Sequence, residues 1–298
     1  MIGKFLENSK HLYIHGIVVL QNGEKIAEHH WTENIRRNQH SVTKSFTSTA
    51  VGIAIDEGLL TLNDKVIDFF PSNLPINSSK LQVKYLNKLT IKDLLMMAAG
   101  YEEGKLMEDR KTLHDPDWVK FSLSAPLISA AKEKFRYTNR TAYLAGVIVE
   151  KVARCSLIDY LMPRLFEPLG IQRPGYELCP LGHVFGSSGL MLTVNELSKF
   201  GQLYLQKGVY NGNQLISKEW VEQATKKQID TCKSFLDGSM GYGYLFWRGC
   251  NNSYRASGRL GQDCIVLEDK NAVIAINANE ENSQEIRDCI WDTIYPIL

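Results

Sequence analysis

The chain lacks most of the features by which several function classes announce themselves. Its 34 basic and 33 acidic side chains leave a formal net charge of +1, so no global field draws in nucleic acid or an anionic membrane. Doublets such as Arg36-Arg37 and Lys226-Lys227 read as solvated surface. The six cysteines, Cys155, Cys179, Cys232, Cys250, Cys264 and Cys289, are scattered and form no C-x-x-C. A chain of 298 residues needs no covalent framework, so they read as reduced thiols without metal-ligand spacing. No H-E-x-x-H occurs, and the adjacent His29 and His30 would face opposite sides of a strand. The sequence therefore calls for no metal and no cofactor. No apolar run approaches membrane-spanning length, and residues 1–8 have no apolar stretch ahead of a small-residue cleavage site, so the expectation is a cytoplasmic protein. Repeats and low-complexity tracts are absent. Gly241-Tyr242-Gly243 lacks the third glycine and the βαβ setting of a dinucleotide fingerprint.

What is present is an ordinary globular composition, 44% hydrophobic, with material for a sizeable core. Residues 12–31 read as a β-hairpin, two alternating runs joined by Asn22-Gly23. The middle third reads as mostly helical. Thr90 caps a helix that Gly100 is expected to end, and further helices are expected at 115–132, 140–154 and 156–166. From about residue 186 a helix opens at Thr193, another is capped by Ser217, and three β runs follow at 241–247, 263–268 and 272–277. A last helix spans 283–295. Strands at both ends with helices between imply one antiparallel sheet built from the two termini.

The chemistry centres on Ser41-Val42-Thr43-Lys44. A hydroxyl and an amine three residues apart at the head of a helix lie on one face and can share a proton. The helix behind them is apolar nearly all round until Asp56, Glu57 and Gly58, so it belongs in the core. Ser41 would meet unpaired backbone N–H groups there, which favours developing negative charge. Serine is also a preferred helix cap, and this stretch alone serves either role. Ser129-Ala130-Ala131-Lys132 repeats the spacing but runs into charged residues with no buried helix behind it.

Two other stretches carry polar groups suited to a site. In Phe135-Arg136-Tyr137-Thr138-Asn139 a phenol and a carboxamide flank one residue, so in extended chain they project to one side. Tyr85-Leu86-Asn87 has the same spacing in an ordinary surface setting. Tyr254-Arg255-Ala256-Ser257-Gly258-Arg259 precedes a β run, where glycine lets backbone approach a bound group; a plain hairpin turn explains it equally well.

Together, Ser41-Val42-Thr43-Lys44, Tyr137-Thr138-Asn139 and Ala256-Ser257-Gly258 resemble, in order, the S-x-x-K, Y-x-N and K-T-G elements of the serine β-lactamase and penicillin-recognising superfamily. The likeness is greatest to its class C β-lactamase, D,D-peptidase and esterase branch. Residues 89–100 and 186–197 are similar to flanking signatures of that branch. The resemblance implies an α/β fold of the α+β type, β-lactamase/transpeptidase-like, with an antiparallel sheet from both chain ends and an inserted, mainly helical subdomain. It implies a single domain over 1–298, the α/β part at about 1–60 and 186–298 and the helical part at about 61–185.

The resemblance further implies that Ser41 is acylated while Lys44 and Tyr137 share the proton work, both needing surroundings that lower their pKa. Asn139 would orient Lys44 and bind the acyl side of the substrate. Ser257 and Gly258 would line the substrate cleft, with the backbone N–H groups of Ser41 and Arg259 holding the oxyanion. The expected partner is a small-molecule ester, amide or β-lactam-like compound, with no nucleic acid and no membrane. Ala256 departs from the pattern, for it offers no cation where β-lactamases have lysine, unless Arg255 or Arg259 reaches the same pocket. Esterase or amidase activity is therefore expected ahead of β-lactamase or D,D-peptidase activity. A member that binds without turnover is the remaining alternative. The acyl pocket is expected around Gly100-Tyr101, 114–118 and Trp247-Arg248.

Overall fold

The structure is a computed structural model that describes residues 2–73, 80–101, 113–231 and 240–298. Its centre is a six-stranded antiparallel sheet. The hairpin β1 (Ile14–Gln21) and β2 (Glu24–His30) turns at Asn22-Gly23, both in the left-handed region that a two-residue turn requires. Short strands follow at β3 (Arg37–Asn38), β4 (Met191–Leu192), β5 (Val209–Tyr210) and β6 (Asn213–Gln214). The chain's last part supplies β7 (Trp247–Arg248), β8 (Tyr254–Gly258), β9 (Gln262–Leu267) and β10 (Ala272–Ala278). Spatial order is β2-β1-β10-β9-β8-β7, so β10 pairs with β1, Val19 opposite Ile274.

Alternation along these strands sorts their side chains onto two layers. Ile17, Val19, Ile265, Ile274 and Ile276 face helices α1 (Gly3–Asn8) and α10 (Ser283–Thr293), where Phe5, Ile286 and Ile290 complete a core. Val18, Val266, Val273 and Ala275 face the larger core. There α8 (Val194–Leu205), opened by a Thr193–Glu196 capping box, lies across the sheet. A Cβ on Gly201 would meet Val273 Cγ1 at 2.5 Å, so only glycine lets the helix come this close.

On the far side of α8 sits α2 (Thr43–Asp56), buried on nearly every face, its small hydroxyl side chains and the apolar run at 50–55 both packed inside. It packs against α6 (Asn139–Ala153) and α7 (Leu157–Leu161), the main helices of the middle third. The remaining helices are α3 (Lys80–Leu86), α4 (Ile91–Leu95), α5 (Trp118–Leu123) and α9 (Lys218–Thr225). Three expectations are corrected. The helix behind Thr90 stops at Leu95, because Met97 takes a positive φ, rather than running to Gly100. The helix expected over 115–132 is confined to Trp118–Leu123, beyond which Pro126 and a positive φ at Lys132 break the pattern. The run at 241–247 pairs as a strand only at Trp247–Arg248, since Gly241 and Leu245 have positive φ. Among the described residues no helix is long and apolar enough to cross a membrane.

Candidate active site

Residues 37–43 are stitched into place before the buried helix begins. β3 pairs with β4, and Gln39, itself fully buried, donates from its backbone to Leu190 O and from its amide to Arg37 O and Leu192 O. His40 then takes a φ of +46°, unusual for a residue with a side chain, while its N–H donates to Asn38 Oδ1 at 2.8 Å. This turn delivers Ser41 on a single 3₁₀ turn (His40–Val42) immediately ahead of α2, not within its first α-helical turn. The side chain of Ser41 caps nothing at the start of α2, so the capping role is not the one it plays.

Lys44 points back along the helix to that serine. Its Nζ lies 2.9 Å from Ser41 Oγ and donates to Asn139 Oδ1 at 2.7 Å and to Ser187 O at 2.8 Å. The lysine is 1% exposed, and an amine so enclosed is held in one orientation by the acceptors of its N–H groups. Asn139 opens α6 behind the Thr138 cap, and its own carbonyl accepts from Ser187 Oγ. The ring of Tyr137 stands 4.9 Å from Lys44 Nζ. Trp247 stacks on that ring at 5.5 Å, while Phe135 and Tyr242 pack edgewise around the pair. Burial pushes the Tyr242 phenol well above its ordinary pKa, so it stays protonated within this aromatic wall.

The third element proves to be a strand, and its turn to β9 passes beside the serine. An added Cβ on Gly258 would meet Gln39 O at 2.3 Å and Ser41 N at 3.2 Å. The hairpin-turn alternative is thus correct in geometry, yet the turn touches the Ser41 backbone. β7 pairs with β8 only as far as Arg255, so the outer edge of Ala256, Ser257 and Gly258 has no sheet partner among the described residues. Arg259 is exposed on the turn. Arg255 is placed elsewhere. Its position pairs with Ile265, which faces α10, and its Nε lies 3.8 Å from Asp263 Oδ1, a carboxylate also held by Arg287 Nη1 at 2.9 Å. Arg255 therefore points to the opposite side of the sheet from Ala256, whose register partner Cys264 belongs to the larger core.

The two look-alike stretches stay apart from this centre. Ser129 Oγ accepts from Arg136 Nη1, Lys132 lies 3.8 Å from Asp93, and no helix joins the two. Tyr85 lies on α3. Sequence patterns missed the carbonyl of Ser187, an acceptor that no residue type encodes; its only signal was the short Gly186–Gly189 run. Of the expected acyl pocket, Tyr101 and Trp118 are buried and Trp247 lines the aromatic wall. No group of His, Cys, Asp and Glu able to hold a metal occurs among the described residues.

The sequence profile of the Beta-lactamase family matches residues 11–293. The chain belongs to the Beta-lactamase family. Relatives of this Beta-lactamase family chain include the 6-aminohexanoate-dimer hydrolase of Paenarthrobacter ureafaciens, 23% identical over 219 residues, covering 69% of this chain and 55% of that protein. Protein flp of Staphylococcus aureus is 28% identical over 141 residues, 46% of this chain and 27% of flp. The chain thus spans about half the length of the first relative and a quarter of the second. Among solved structures, a Bacillus anthracis protein provisionally assigned as a 6-aminohexanoate-dimer hydrolase superposes with a TM-score of 0.79 at 17% identity, covering 98% of this chain and 80% of that one. The octameric penicillin-binding protein homologue from Pyrococcus abyssi gives 0.76 at 19% identity, with 99% and 77% covered. These likenesses establish the β-lactamase/transpeptidase fold, and family membership with hydrolase-named relatives supports a hydrolase.

Proposed function

We propose that the protein is a serine hydrolase that cleaves an ester or amide through an acyl-Ser41 intermediate. The observation that carries this reading is the contact of Ser41 Oγ with Lys44 Nζ at 2.9 Å, the amine being fixed from behind by Asn139 and Ser187. Two N–H groups suffice for those two carbonyl oxygens, so a neutral amine can turn its lone pair to the serine hydroxyl. In the first step Ser41 Oγ bonds to the substrate carbonyl carbon and its proton passes to Lys44 or Tyr137. The carbonyl π electrons move to oxygen, where the N–H groups of Ser41 and Arg259 receive the oxyanion. Collapse expels the alcohol or amine, which takes up the proton, and water then releases the acyl group.

The site belongs, in this reading, to one β-lactamase-like domain over 1–298, with the crevice between the sheet of the two ends and the helical part at about 61–185. Esters and amides stand ahead of β-lactams because Ala256 offers no cation and Arg255 faces away from it. The name of the Paenarthrobacter relative, a 6-aminohexanoate-dimer hydrolase, is in keeping with that order. A fluorophosphonate probe followed by intact mass should add one label to the protein and none to Ser41→Ala. Folded wild type that takes no label would leave a non-catalytic binding protein as the better account. Durable labelling by a fluorescent penicillin, without turnover of p-nitrophenyl esters, would instead favour a penicillin-recognising protein.

A further inference from the structure

The interface between α5 and α6 holds a charge that no polar group among the described residues answers. Arg140 follows Asn139 in the first turn of α6 and is 0% exposed. Its Nε, Nη1 and Nη2 have no hydrogen-bond partner among the described residues. Its neighbours are rings: Tyr101 at 5.1 Å from the guanidinium carbon and Phe121 at 5.2 Å. Tyr101, 1% exposed, has a hydroxyl equally without a partner, as has Nε1 of Trp118, one helical turn from Phe121 on α5. Aromatic faces return only part of the hydration that a guanidinium gives up on burial. The N-terminal end of α6, with its positive dipole, makes the place less favourable still for a cation.

All three orphaned groups can donate a hydrogen bond, and only the phenol can also accept one. Burial draws the Arg140 guanidinium down to about 10 and pushes the Tyr101 phenol up to about 12. At neutral pH the first is therefore still charged and the second still protonated, so both remain donors. Such a set is complementary to an anion, and a guanidinium fork matches a carboxylate bidentately. Arg140 is also the next residue after Asn139, whose Oδ1 is 2.7 Å from Lys44 Nζ. The receptor thus shares the first turn of α6 with a residue of the proposed catalytic centre.

We propose that Arg140, with the Tyr101 hydroxyl, binds a carboxylate carried by the substrate away from its scissile bond. The class of substrate is accordingly an ester or amide whose acyl or leaving group ends in a carboxylate. Phe121 and Tyr101 yield to admit it, since the guanidinium has no exposed surface of its own. The proposal rests on Ser41 being the nucleophile, and one arm of its test does not.

The kinetic arm compares mono-p-nitrophenyl esters of succinate, glutarate and adipate with their methyl-capped neutral counterparts. Wild type should favour at least one charged ester over its neutral twin by about tenfold or more in kcat/KM, as expected where a buried polar group would otherwise stay unpaired. Arg140→Met should abolish that preference and Arg140→Lys should retain part of it. An equal ratio in wild type and Arg140→Met overturns the proposal. The binding arm uses Ser41→Ala protein. Free dicarboxylate should raise its Tm, the neutral dimethyl ester should not, and the effect should vanish in Ser41→Ala/Arg140→Met. No shift, or the same shift in both proteins, overturns the proposal whatever the kinetics show. Should wild type cleave neither ester and take no fluorophosphonate, the serine reading fails and the binding arm alone decides on Arg140.

Discussion

At the scale of single residues, the account turns on which atoms hold the Lys44 amine. Removing the amine in Lys44→Ala, or the phenol in Tyr137→Phe, should slow acylation by about a hundredfold or more, the usual cost of a lost proton-transfer group. Single-turnover release of p-nitrophenol measures it, and a near-wild-type rate in either variant removes that residue from the mechanism. Ser41, Lys44, Tyr137 and Asn139 were readable because residue type and spacing encode them. The carbonyl of Ser187 was not, because every residue has one and only the fold says which is aimed at an amine. The question left by Ala256 needed the strand register: with Arg255 opposite Ile265, its side chain faces α10 and Asp263 rather than the cleft.

Among elements, β8 matters most, because the end of this strand touches the backbone that carries the serine. A Cβ at Gly258 would meet Gln39 O and Ser41 N, backbone atoms with little room to move. Gly258→Ala should therefore lower kcat/KM by roughly tenfold or more and lower stability by about 1–3 kcal/mol, as overpacking does. Unaltered kinetics would show that the strand and the serine are not in contact. Ser217→Ala, which removes the hydroxyl that accepts from Trp220 N at 3.1 Å, should cost about 1 kcal/mol in urea unfolding with acylation unaffected. A loss of acylation there would mean that α9 reaches the centre. Long elements with clear periods, such as Asn139–Ala153 and Val194–Leu205, were legible in the sequence, as was the Thr193 start of the second, whereas the Thr138 cap of the first was not read. The run at 241–247 misled because its aromatics have strand-like composition, while positive φ at Gly241 and Leu245 turns the chain out of register.

For the whole molecule, the sheet joins strands from opposite ends of the chain, and among the described residues no disulfide links them. The five cysteines among the described residues are free, and Cys232 lies outside those residues. Tm should thus be the same with and without a reductant, and a drop of several degrees on reduction would reveal a disulfide. Joining β1 to β10 brings Val19 opposite Ile274 across most of the chain's length, a demand met by the strand ladder and by burial. Ile274→Ala should accordingly lower unfolding free energy by about 2–5 kcal/mol, read from urea melts; a change well under 1 kcal/mol would mean that the two ends do not share one core. The same closure sets β8 beside the serine and α6 beside the lysine, so the proposed chemistry exists only in the complete fold. The most direct test is rapid quenching of wild type during turnover of p-nitrophenyl acetate, followed by peptide mass mapping. The account predicts an acetyl group on Ser41, accumulating faster than it is lost in a deacylation-limited reaction; acetyl on another residue, or turnover without any covalent adduct, would contradict it.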